Sequence, residues 1–170
     1  YDRVQDQFIP YLDNPTNPNA LLNEYVFIIL ADRQNNIWIG TGDPYNKDIN
    51  KGGLIRFNPS TGATKRFVHE PNNPNSLSVN AVTALLEDDA GQIWVGTIEN
   101  GLHLYREDSQ DFTRIKADPA NPTYFQPPIS KKEVHSLVSR VKILHQDQQG
   151  GYWIGSLGIG LNHFDPKTSK

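Results

Sequence analysis

The chain has 170 residues, enough for one domain with its own core, and a formal net charge of −3. No basic run stands out, which argues against nucleic acid as a partner, and no apolar stretch approaches membrane-spanning length or a signal-peptide pattern. The absence of cysteine excludes a disulfide framework and thiolate metal sites, and 13 glycines with 12 prolines point to many turns and few helices.

In chain order, residues 7–12 read as a strand, followed by a turn-rich connector, Asp13 to Leu21. The apolar run Val26-Phe27-Ile28-Ile29-Leu30 comes next; a run without alternation predicts a strand buried on both faces. Asp32 opens a tight turn with Asn35 in a position that accepts positive φ, and Ile37-Trp38-Ile39-Gly40-Thr41 has the β-branched and aromatic character of a strand. A long polar loop, 41–53, leads to a third strand, Leu54 to Phe57, and Thr64 to Val68 give a fourth.

The pattern then recurs. Val82 to Leu86, the Asp88 to Gly91 turn, Ile93-Trp94-Val95-Gly96-Thr97, Leu102 to Tyr105 and Phe112 to Lys116 repeat the unit, and so do Val141 to Leu144, the Asp147 to Gly150 turn, Tyr152-Trp153-Ile154-Gly155-Ser156 and Leu161 to Phe164. All three tryptophans occupy one position of this unit. Four antiparallel strands per unit, repeated, predict an all-β fold, a β-propeller segment of about three four-stranded blades. The blades fall at 24–68, 81–117 and 139–165, the last lacking its outer strand, while 7–12 is the outer strand of a split blade. Between Pro122 and Val141 the repeat is stretched, and Ser130-Lys131-Lys132-Glu133 has the form of a capping box, predicting a short helix over 131–137. The absence of methionine, even at position 1, fits an internal segment of a longer protein.

A residue demanded in every blade is scaffold, whereas a catalytic residue is needed once. Asp32, Asp88 and Asp147, Trp38, Trp94 and Trp153, and Gly40, Gly96 and Gly155 are therefore read as structural, the glycines letting a neighbouring layer approach. The aspartates stand six residues before their tryptophans, one position too early for a sialidase Asp box; Asp89 alone has that phase, with Glu87 where Ser or Thr is required. The five histidines form no paired ligand spacing, Gly155 to Gly160 is no phosphate loop because no helix follows, and Asp48-x-Asn50-x-Gly52 lacks the distal Glu of a calcium loop. No cofactor, metal or catalytic residue is expected.

Connectivity locates the variable parts. In an antiparallel blade the second-to-third loop and the blade-to-blade connector emerge on one face, and the two short turns on the other. The long 41–53 loop and the stretched connector near 118–138 share the first face, where loops over a constant scaffold carry recognition. Tyr45, Asn46, Asp48, Asn50, Tyr124, Phe125 and Gln126 supply aromatics, amides and a carboxylate there, a set suited to a sugar. The alternative is that these loops only cap the propeller or touch a neighbouring domain.

The chain resembles the two-component regulator propeller repeat: a strand, an Asp-x-x-Gly turn, Ile/Val-Trp-Ile/Val-Gly-Thr, Gly-Leu, and an Asn-Pro-x-Ser-Leu connector. Asn73-Pro74-Asn75-Ser76-Leu77 carries the connector in full, and Asn17-Pro18-Asn19-Ala20-Leu21 replaces Ser with Ala. The resemblance implies the periplasmic sensor region of a hybrid two-component histidine kinase, non-enzymatic, responding to an oligosaccharide and without direct membrane contact. The alternatives are a structural or protein-interaction propeller without a small ligand, and a fragment of a propeller hydrolase or lyase.

Three blades cannot close a ring. The expected partners are further blades of a parent protein or a second copy of this segment, with residues 7–12 lent to the partner's 139–165 blade in a strand-exchanged homodimer. Phe27, Ile29, Leu85 and Ile143 are the apolar residues expected at the exposed blade faces.

Overall fold

Each Asp-to-Trp segment closes as a hairpin whose turn is written in its hydrogen bonds. In the computed structural model of the chain, which describes residues 3–7, 25–42, 51–98, 101–118, 120, 125–127, 140–157 and 159–168, the Asn35 N–H donates to the Asp32 carbonyl at 2.9 Å and Asn35 has φ 61°. Gly91 bonds Asp88 at 2.9 Å with φ 79°, and Gly150 bonds Asp147 at 3.0 Å with φ 87°. A turn followed by one left-handed residue is a common three-residue hairpin connection, and only Gly or Asn adopts that residue's backbone cheaply.

These hairpins nucleate three antiparallel sheets. The first contains β1 (Val26–Ala31), β2 (Ile37–Thr41), β3 (Gly53–Phe57) and β4 (Thr64–Phe67) in chain order. The second contains β5 (Val82–Glu87), β6 (Ile93–Thr97), β7 (Leu102–Arg106) and β8 (Asp111–Ile115). The third has β9 (Arg140–Gln146), β10 (Tyr152–Leu157) and β11 (Gly160–Phe164). The described residues contain no helix; the helix expected over 131–137 and the outer strand expected over 7–12, Gln7 apart, lie outside them.

The apolar runs that open each unit share a feature that hydropathy did not reveal. The register of β1, β5 and β9 slips at one place, between Val26 and Ile28, between Val82 and Ala84, and opposite Gly155 and Ser156 between Ile143 and Val141. A bulge inserts an extra residue and re-aims the side chains on either side of it. In β5 it turns Val82 back toward the first sheet, where Leu85, Ile93 and Val95 also point, while Ala84 faces the third sheet with Trp94 and Leu102.

The core therefore lies between sheets, as in a propeller. One cluster joins Trp38, Leu54 and Phe67 of the first sheet to Val82, Leu85, Val95, Tyr105 and Phe112 of the second. Another joins Trp94 and Leu102 of the second to Val141, Leu144 and Ile154 of the third. Gly40 and Gly96 make this approach possible: a Cβ there would sit 2.8 Å from Val82 Cγ1 and 2.6 Å from Val141 Cγ1 respectively.

Two expectations need correction. Leu85 is 6% exposed, because its sheet is the middle one and both its faces are covered. Conversely, β1 is not buried on both faces: Phe27 is 38% and Ile29 61% exposed, because no described sheet packs behind the first. Ile143, at 62% exposed on the third sheet, is in the same situation at the other end.

Candidate functional site

The repeated aspartate is a hub. Asp32 Oδ1 accepts the backbone N–H groups of Gln34 at 3.0 Å and Asn36 at 2.7 Å, while Oδ2 accepts Trp38 Nε1–H at 2.7 Å. Asp88 accepts Gln92 N–H at 2.9 Å and Trp94 Nε1–H at 2.8 Å; Asp147 accepts Gly151 N–H and Trp153 Nε1–H, both at 2.8 Å. The six-residue spacing is thus the reach from a turn carboxylate to an indole across one hairpin. Burial opposes ionisation of Asp32, but donors from Asn36, Trp38 and the backbone outweigh it and hold the carboxyl below its ordinary value. Asp147 is lowered in the same way, first by the Trp153 bond and then by the Gly151 and Gln149 backbone N–H groups. Trp38 and Trp94 are buried; Trp153, on the open side of the third sheet, is half-buried and packs on His163 with ring centroids 4.3 Å apart.

These hubs also tie blade to blade. The Arg33 guanidinium donates to the carbonyls of Asp88 at 2.8 Å and Asp89 at 3.0 Å, and Asp89 N–H donates to Gln146 Oε1 at 2.7 Å. Tyr152 O–H donates to Asp88 Oδ2 at 2.9 Å; burial, then this bond, pushes the phenol well above its ordinary pKa.

On the connector face, Tyr45, Asn46, Asp48, Asn50 and Tyr124 lie outside the described residues. Phe125 does not offer its ring to a ligand. It is 6% exposed, stacks on Tyr152 at 4.4 Å and meets Trp94 edge-on at 4.9 Å, packing near Phe164 on a sheet with no described fourth strand. Gln126 is held locally, its Oε1 accepting the Asp118 N–H.

The described part of this face contains a cavity of about 550 Å³ bordered by His69, Ser78, Arg114, Lys116 and Pro127. Its walls are fixed. Arg114 Nε donates to the Ser76 carbonyl at 2.8 Å, and its Nη2 to the carbonyls of Asn73 at 3.0 Å and Leu77 at 2.9 Å. Ser76 Oγ accepts Glu70 N–H at 2.9 Å, and Leu77 is fully buried in the core, so the connector sequence reads as a self-bonded loop with one apolar anchor. His69 Nδ1 lies 2.7 Å from the Leu77 carbonyl and donates to it.

Beneath Ser78 lies a residue that sequence reasoning passed over. His103 is fully buried: the Ser78 N–H donates to Nε2 at 3.0 Å, which leaves Nδ1 to donate to the Val95 carbonyl at 3.3 Å. Burial lowers its pKa to about 4, so the ring is neutral at physiological pH. The signal in the sequence was its place beside Val95 in the repeat, where the first blade has Ile55 and the third Asn162.

The opposite face has a smaller cavity, about 360 Å³, between the first two blades. Arg56 lies over the Trp38 indole, 5.3 Å from the ring centroid, and pairs with Glu107 at 2.9 Å across the interface. Leu104 and His163 replace Arg56 in the other blades, so this pair is not part of the repeat. Its charges satisfy each other. Among the described residues no three His, Asp or Glu side chains gather to hold a metal.

The model of the two-component regulator propeller family matches residues 20–43 and 76–99, the stretches that run from the end of each connector through the Trp strand. Those two stretches are similar to the regulator-propeller repeat. Among solved structures, the chain resembles the extracellular domain of BT4673 from B. thetaiotaomicron, with TM-score 0.56 and 21% identity over 91% of this chain and 17% of that one. A second structure of that domain, assigned to a hybrid two-component system, gives TM-score 0.55 and 22% identity over 84% of this chain and 15% of that one. PorZ, a surface component of the type-IX secretion system of Porphyromonas gingivalis, gives TM-score 0.63 and 16% identity over 100% of this chain and 23% of that one. The chain therefore spans less than a quarter of these structures, which share its fold. No curated protein matches it.

Proposed function

We propose that the chain is a ligand-sensing part of an extracytoplasmic two-component sensor and that its connector face receives an oligosaccharide. The supporting observation is the cavity of about 550 Å³, whose polar and cationic border is held rigid by Arg114 and the bonded 69–78 connector. A pre-formed concave site with a few fixed polar groups is what a saccharide requires. Tyr45 and Tyr124, from the two long loops of the same face, are assigned the aromatic surfaces, with Asn46, Asp48 and Asn50 as hydrogen-bonding groups. The reading is non-enzymatic: the repeated Asp and Trp side chains spend their polar atoms on each other.

Calorimetry against a panel of plant and host oligosaccharides tests this. One of them should bind, Tyr45→Ala/Tyr124→Ala should abolish binding without altering the melt, and Lys116→Glu should weaken it about tenfold. Binding by no member of the panel, or full affinity in both variants, would overturn the proposal.

A further inference from the structure

The two blade junctions differ at one place on the face of the short turns. At the second junction Tyr152 lies against the preceding blade's Asp–Trp pair: its O–H donates to Asp88 Oδ2 at 2.9 Å and its ring meets Trp94 edge-on at 6.1 Å. Leu104 and Phe164 pack with it, so apolar side chains close this junction. At the first junction Ile93 holds the register of Tyr152, opposite Glu87 as Tyr152 is opposite Gln146. Arg56 and Tyr105 stand there in the places of Leu104 and Phe164. Isoleucine has neither the length nor the hydroxyl of tyrosine, and the space beside Asp32 stays open as the cavity of about 360 Å³. A polar opening made at one junction, by side chains that depart from the repeat, is not demanded by the scaffold.

The groups around it are unevenly used. The Arg56 guanidinium donates only through Nη1, to Glu107 Oε1 at 2.9 Å and Oε2 at 3.0 Å and to Tyr105 Oη at 3.4 Å. Its Nε–Nη2 edge has no partner among the described residues, in a side chain 22% exposed. That edge fits a carboxylate: Arg106 grips Asp111 through Nε and Nη2, both at 2.7 Å. A carboxylate bound there would meet two others, because Asp32 is held ionised in the wall and Glu107 stands beside Arg56. One guanidinium against two carboxylates repels a simple anion. A ligand that carries its own cation restores the balance, and the Glu107 side chain, 64% exposed, has acceptor capacity beyond one arginine nitrogen.

We propose that this cavity binds a small zwitterion of the free α-amino-acid class, its carboxylate on the Nε–Nη2 edge of Arg56 and its ammonium on Glu107. The volume is at the small end of ligand sites and suits one compact molecule. Trp38 supports the guanidinium from below, 5.3 Å from the ring centroid, so the free edge is fixed in place. Arg56 and Glu107 belong to different blades, and the ligand bridges them. The site is separate from the connector-face cavity and does not rest on the oligosaccharide reading.

Calorimetry of the full chain against each of the common free amino acids tests it. At least one should bind with a Kd of about 1 mM or tighter. Its N-acetylated form, which lacks the ammonium, and its decarboxylated amine should each bind at least about tenfold more weakly. Arg56→Lys keeps the charge but removes the fork, and Glu107→Gln removes the acceptor charge at an exposed side chain; each should weaken binding at least about tenfold. Thermal melts accompany both variants, and Glu107→Gln decides where Arg56→Lys fails to fold. Binding by none of the amino acids overturns the proposal. So does equal affinity for the acetylated or decarboxylated form, or undiminished affinity in a folded variant.

Discussion

The Asp–Trp bond is the smallest unit that explains why this sequence repeats as it does. Trp94→Phe keeps most of the ring but removes the donor to Asp88, leaving a buried carboxylate oxygen with Tyr152 alone; denaturant melts should show a loss of about 1–3 kcal/mol. Trp94→Ala also empties the core between two blades and should cost about 3–5 kcal/mol, whereas an unchanged midpoint would mean the residue is not scaffold. Acid should act through two groups in separate windows. His103 has a folded pKa of about 4 against an ordinary 6.5, so as pH falls the unfolded chain takes up its proton first. Stability is full above about 6.5 and declines toward 4 by on the order of 3 kcal/mol, and His103→Gln should flatten that part of a melt-versus-pH curve. Asp32 is also depressed, so its contribution is present above its ordinary 3.8 and is lost as pH falls through the lower folded value. Repetition marked the aspartates and tryptophans as scaffold, but turn chemistry did not show the bond from carboxylate to indole six positions on, and nothing local separated His103 from the other four histidines.

At the scale of the element, the strands and turns were readable because period, turn residues and repetition agreed. The bulge was not, because Val-x-Ala is apolar whichever face each residue takes. The exposure of β1 was misread for a related reason: hydropathy records what a strand would bury in a complete neighbour set, and the first sheet has a described neighbour on one side only. Gly96 isolates the cost of closing the sheets together. Its φ is not among the positive values, so a substitution there is limited by space and not by backbone strain. Gly96→Val places carbon where Val141 lies and should lower stability by about 1–3 kcal/mol in denaturant melts. Among the described residues Gly155→Ala meets only its own sheet and should cost much less.

At the scale of the molecule, connectivity indicated which face carries the variable loops, but not which residues border its cavity. His69 and Lys116 are far apart in sequence and converge only because consecutive connectors lie side by side. Phe125 was misassigned because an aromatic in a stretched loop looks available, and only packing shows that it fills a gap in the third sheet. The middle position of the second blade has one more consequence. In an array of blades each unit is held by its neighbours, so a blade packed on both sides opens after one with a described neighbour on one side only. β6 is buried at all five residues, whereas β10 is mostly half-buried. Amide protons of β10 should therefore exchange with deuterium through local fraying, on a timescale set by the third blade alone. Those of β6 should wait for the whole array to come apart, so mass spectrometry of the exchanging chain should record a gradient with its slowest point at Trp94 and Val95.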